Sequence, residues 1–144
     1  MLEVRETDDP APGPGEVLLE VAAAGVNFAD VLARRGIYPD APPLPAVVGY
    51  EVAGTVGALG EGVDRWSVGD PVLAMTRFGG YSEKVCVPAD QVVSRPPALS
   101  PAEGAAVPVN GLTAALALFH FGSLRAGERV LVHNAGGGVG LAAV

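Results

Sequence analysis

Several things are scarce in this sequence, and each scarcity excludes something. There is one cysteine, Cys86, in 144 residues, so no disulfide can close within the chain and a reducing, cytoplasmic setting is expected. Within an apolar strand such a residue reads as small core packing. Basic residues are few as well: nine Lys and Arg against sixteen Asp and Glu leave a net charge of −7. Apart from Arg34-Arg35 they are scattered singly, which excludes the clustered cationic face that nucleic acid requires. No apolar run approaches the roughly 18–20 residues of a membrane span, and the longest, Ala114 to Phe121, contains His120. The opening "MLEVRETDDP" is acidic and lacks an apolar segment, so it does not read as a signal peptide. Aromatic residues make up only 6% against an apolar fraction of 49%, which assigns the core mainly to Val, Leu and Ala in a globular composition.

Glycine and proline are plentiful instead, twenty and thirteen of them, and they punctuate short apolar runs. "PGPGEVLLEVAAAGVN" predicts a turn and then a strand from about Glu16 to Ala23. "NFADVLARRG" predicts a short helix, with Asn27 able to cap its first turn. "YPDAPPLPAVVG" is too rich in proline for any regular element and is suited to a pocket wall. The stretches "YEVAGTVGALG", "PVLAM", "YSEKVCVP" and "QVVSRP" add further short strands with Gly, Pro and Asp at the corners, the pattern of a small antiparallel barrel over Glu16 to Pro97. At Ser100 the style changes. "SPAE" is a capping box with Pro at the first helical position, and an Ala- and Leu-rich helical stretch follows to Phe121, divided at Pro108. "RVLVHNA", Arg129 to Asn134 with Ala135, predicts a strand of the kind buried on both faces. The expected organisation is mainly β, residues 1–99 forming one domain and residues 100–144 the start of a second, α/β one.

After that strand, Ala135 to Gly140 read A-G-G-G-V-G, which fits A-x-G-x-x-G. In a dinucleotide fingerprint the second glycine lets a pyrophosphate approach the backbone, and the third packs helix against strand. Gly137 and Gly140 take those places, and Ala135 stands where the first glycine would. Position after a strand and before "LAAV" favours a phosphate-binding loop over a plain flexible turn. The residue that would separate NAD from NADP belongs about 20 positions further on, beyond Val144.

These stretches in this order resemble the medium-chain dehydrogenase/reductase superfamily, in its zinc-free branch of quinone oxidoreductases, zeta-crystallin and vesicle amine transport protein homologues. The carriers are "GPGEVLLEVAAAGVNFADVLARRGIYP", "GYEVAGTVGALGEGVDRWSVGDPV", "GGYSEKVCVPA", "PVNGLTAALALF" and "LRAGERVLVHNAGGGVG". The resemblance implies a GroES-like irregular β-barrel, then helices and the first strand and Gly-rich turn of a truncated Rossmann domain, inactive by itself. It also implies a homodimer for the full-length protein. Zinc members carry Cys where Asn27 stands and G-H-E in place of Gly49-Tyr50-Glu51. With Cys86, His120 and His133 lacking ligand spacing, no metal is expected.

The same resemblance implies NADPH-dependent reduction of a small quinone or α,β-unsaturated carbonyl compound by hydride transfer, independent of zinc. In such reductases the positions of Asn27, Asp30 and Tyr38 face the nicotinamide. Those of Asn110, Thr113, Ala135, Gly137, Gly138, Val139 and Gly140 hold the cofactor. Plainer roles remain open from the residues themselves: a cap for Asn27, a helix-dipole charge for Asp30, packing for Tyr38 and a back-bond within the helix for Thr113. Leu32 replaces an aromatic residue found in some members. Two other functions fit the same motifs, a non-catalytic binding protein like the vesicle amine transport homologues and an enoyl-reductase module of a polyketide or fatty-acid synthase.

Overall fold

Burial alternates along the first strand, β1 (Glu16–Ala24), so that Val17 and Leu19 point inward and lie fully buried. The structure is a computed structural model describing residues 2–144. After β1 come α1 (Phe28–Ala33), β2 (Glu51–Leu59), β3 (Pro71–Met75), β4 (Lys84–Pro88) and β5 (Val92–Ser94). All pairings are antiparallel, in the order β4-β1-β2-β3-β5. Register shifts between Leu18 and Leu19 and between Val21 and Ala23 bend β1 against β2.

Connectivity dictates that this sheet is rolled. β4 and β5 are its opposite edges, yet only a single 3₁₀ turn, Ala89–Gln91, joins them. Five flat strands would separate their edges by about 19 Å, whereas a 3₁₀ turn advances only about 2 Å per residue. The two edges must therefore curl toward each other. Val17, Leu19, Val52, Val56, Val72, Val87 and Val92, drawn from every strand, meet in one core with Trp66. Side-chain bonds hold the link as well: Trp66 Nε1 donates to Ala89 O at 3.3 Å and Arg65 to Val92 O at 3.0 Å. The small antiparallel barrel expected from the turn pattern is the one observed.

Next, α2 (Pro101–Ala105) begins at Ser100, whose Oγ accepts from Glu103 N–H while Glu103 Oε2 accepts from Ser100 N–H. Its Ala105 packs with Ala53 and Leu73 in a second small core, and a Cβ on Gly104 would meet Leu73 at 2.6 Å. Compactness accordingly divides the chain after Ala106, into a unit ending there and a second unit, Val107–Val144, while the composition changes earlier, at Ser100.

In the second unit Pro108 opens α3 (Pro108–Ala115), and the helix continues as a wider π-helical stretch, Leu116–Phe121. α4 (Gly138–Ala143) begins in the glycine cluster. One expectation is corrected. Residues 129–134 belong to none of the five strands and follow an irregular path. A β-branched apolar run has the propensity for a strand, but a strand exists only through ladder bonds to a neighbour, and no described residue of this unit pairs with it.

Candidate functional site

The connection from β1 to β2 carries the residues singled out first. α1 is held at its start by the Asn27 N–H, which donates to Asp30 Oδ2 at 2.8 Å. The Asn27 side chain shares a capping box with Asp30 and also reaches β2: its Nδ2 donates to Glu51 Oε1 at 2.8 Å. Glu51 is 1% exposed, and an added Cβ on Gly25 would collide with it. Its carboxylate lies in the space that a Cβ on Gly25 would fill, and from there it holds the Asn27 amide.

Asp30 is 3% exposed and still fully provided for. Besides Asn27 N–H, Gly49 N–H donates to its Oδ1 at 3.0 Å and the Tyr81 hydroxyl to its Oδ2 at 3.1 Å. One carboxylate thus ties together the segments that precede α1, β2 and β4. Such charge-assisted bonds are what allow a carboxylate to be buried. Gly49 is suited to its place in two ways. Its φ is +106°, and a Cβ there would stand 2.7 Å from Tyr81 N. Thr76 Oγ1 adds a 2.7 Å bond to Gly49 O. Burial, then the Asp30 charge and the hydrogen bond to it, push the Tyr81 phenol up to about 12.

Tyr38 adjoins this network through aromatic rings. Its centroid is 6.0 Å from that of Tyr50, edge to face at 82°, and Tyr50 lies 4.9 Å from Phe78 at 54°, within the range of favourable ring pairs. Burial first, and then a hydrogen bond with Tyr38, raise the Tyr50 phenol well above its usual value. Asn27 and Asp30 are in direct contact, then, and Tyr38 reaches them by way of Tyr50 and its neighbour Glu51. Tyr50, Glu51, Phe78 and Tyr81 did not stand out in the sequence as site residues. Tyr50 and Glu51 carried one signal, their place at the G-H-E motif of zinc members, and Glu51 also heads an apolar strand. Among the described residues no three His, Cys, Asp or Glu side chains converge as a metal site would need.

In the second unit some of the residues expected at a cofactor lie together: Asn110, Ala135, Gly137, Gly138 and Gly140. Gly137 precedes α4, and its N–H donates to Asn134 O at 2.9 Å. A Cβ on Gly140, which is buried, would run into Asn134 O and stand 2.7 Å from Ala135 Cα, so only glycine lets the helix sit this close to the turn. Asn110, on α3, lies against the loop: a Cβ on Gly138 would be 2.7 Å from Asn110 Oδ1. Gly136 faces open space, with nothing within 4 Å of the Cβ position. Thr113 is exposed, one turn beyond Asn110, and Val139 is partly exposed. Two open concavities of about 500 Å³ each, one walled by Ala117, Leu118 and Val130 and the other by Gly62, Val63 and Pro88, include none of these residues.

Residues 13–97 match the family model for the alcohol dehydrogenase GroES-like domain. The chain is 50% identical over 143 residues to the synaptic vesicle membrane protein VAT-1 homolog of Rattus norvegicus, covering 99% of this chain and 35% of that protein. It is 43% identical over 135 residues to the quinone oxidoreductase of Sus scrofa, covering 93% and 41%. A mycobacterial protein solved in complex with NADPH superimposes with a TM-score of 0.88 at 39% identity, over 96% of this chain and 43% of that one. The chain therefore spans well under half the length of these relatives. By these matches it belongs to the GroES-like alcohol dehydrogenase family, in the quinone oxidoreductase branch of the medium-chain dehydrogenase/reductase superfamily.

Proposed function

We propose that this chain provides the substrate-side residues and the pyrophosphate loop of an NADPH-dependent reductase acting on quinones or α,β-unsaturated carbonyl compounds without zinc. The observation that carries the reading is the locked Asn27 amide, bound to a buried carboxylate at 2.8 Å where zinc members of the superfamily place a thiolate. When bound, the nicotinamide would supply the hydride. The protein's part is to orient the acceptor and to stabilise the negative charge that grows on its carbonyl oxygen. Asn27, with one amide hydrogen committed to Glu51, keeps its second amide hydrogen for that oxygen. Tyr38 is the proton donor. Asp30, buried and fully bonded, acts as a positioning residue that fixes Asn27 and the turn at Gly49.

The glycine turn fits a pyrophosphate. Gly136 leaves its outer face open, while Gly140 and the Asn110–Gly138 contact allow no side chain on the inner one. Asn110, Thr113, Ala135, Gly137, Gly138, Val139 and Gly140 would hold the cofactor. NADPH is preferred because of the superfamily branch and the mycobacterial relative solved with it. A homodimer in the cytoplasm completes the proposal.

The test is NADPH oxidation with duroquinone as acceptor, by the polypeptide containing residues 1–144. The expected result is quinone-dependent oxidation that falls about 100-fold on Tyr38→Phe or Asn27→Ala, the usual loss of one oxyanion donor. No oxidation with any quinone or enone overturns it. A non-catalytic binding role, favoured by the 50% identity to the VAT-1 homolog, then takes its place.

A further inference from the structure

Tyr50 takes part in no step described above, yet it is the middle ring of three. Tyr38, Tyr50 and Phe78 are each half-buried, so each keeps part of its surface open. The backbone around Tyr50 is held at three points: Gly49 N–H donates to Asp30, Thr76 N–H to Tyr50 O and Gly25 N–H to Glu51 O. A ring anchored on both flanks and packed between two others has little freedom to swing aside. Its phenol also holds its proton firmly, so the wall stays uncharged. The connection that carries it is apolar elsewhere too, with Ile37, Leu44 and Val47 exposed by 62%, 53% and 50%. Fixed, uncharged ring faces stack on another flat conjugated ring and gain little from a flexible chain.

We infer that Tyr50 determines specificity: the wall of Tyr38, Tyr50 and Phe78 selects cyclic, fully conjugated carbonyl compounds, quinones, over open-chain enones. This rests on the reading of the same site as one for conjugated carbonyl compounds.

The 144-residue chain with isotope-labelled tyrosine rings is titrated by NMR with duroquinone and, separately, with the open-chain enone mesityl oxide. Both are hindered at the carbons a thiol would attack. Duroquinone is expected to shift the Tyr38 and Tyr50 ring signals and to bind more tightly than mesityl oxide. Tyr50→Leu, which keeps apolar bulk without a flat face, weakens duroquinone about threefold to tenfold and leaves mesityl oxide within about twofold. Tyr50→Phe keeps the preference. Equal weakening of both ligands by Tyr50→Leu, or unchanged duroquinone binding, overturns the role of Tyr50 and leaves the reductase reading standing. If neither ligand shifts Tyr38 in the unmodified chain, the reductase reading falls, and this inference with it. Unchanged Trp66 fluorescence in each variant establishes that the barrel is folded.

Discussion

At Gly49 two demands meet in one residue. Its φ of +106° is one that side chains rarely adopt, and any Cβ would press on the Tyr81 backbone, which cannot give way without breaking its bond to Val48 O. Gly49→Ala is therefore expected to cost about 2–4 kcal/mol, read as a lower urea midpoint by the fluorescence of the single tryptophan, Trp66. Tyr81 gives a pH-dependent counterpart. Its phenol is raised from 10.0 to about 12, so the folded state holds that proton more tightly than the unfolded one. The resulting stabilisation is fully present below pH 10 and is lost as pH rises through about 12. Tyr81→Phe should cost about 1 kcal/mol at neutral pH through the missing hydrogen bond. It should also make stability fall less steeply across that alkaline window. A difference titration of phenolate absorbance between the two proteins checks the same shift.

Among the elements, α2 depends most on its own sequence. The Ser100–Glu103 capping box closes its first turn, and with only five residues it has few other bonds of its own. Ser100→Ala should lower stability by about 1 kcal/mol, with the loss of protection concentrated at residues 101–105 in hydrogen exchange. That box, the break at Pro108 and the strands of the barrel were all legible beforehand, because each is written in residues a few positions apart. The candidate site was legible only in part. Asn27 and Asp30 lie within one turn of each other, but Gly49 and Tyr81 reach Asp30 from 19 and 51 residues away, and no local pattern encodes that meeting. Phe78 and Tyr81 sit in a glycine turn that reads like any other corner. Residues 129–134 show the converse, since side chains that favour a strand cannot provide the neighbour it pairs with. The widening of the helix at Leu116 left no mark in the sequence either, where Ala and Leu continue without interruption.

Across the whole molecule, apolar exposure is unevenly shared. The core strands bury theirs, but the second unit leaves Phe119, Phe121, Leu131 and Leu141 between 64% and 79% exposed. Exposed apolar residues at this density promote association. The chain is expected to sediment as larger species with rising concentration, and Phe121→Lys combined with Leu131→Lys should shift it toward monomer. A concentration-independent monomer would show that these residues do not associate.

The rolled sheet also has a history in time. Within the barrel β1 is made first, and one of its two partners, β4, is made late, since Glu16 pairs with Pro88. At ribosomal speeds of roughly 5–20 residues per second, β1 waits several seconds with one side unpaired while the connection bearing Asn27, Asp30 and Tyr50 is being made. The short link that brings β4 and β5 together thus acts as a clock as well as a clasp. Until Ala89 and Val92 emerge to meet Trp66 and Arg65, the barrel cannot shut, and the nascent chain's need for protection is greatest just before that moment.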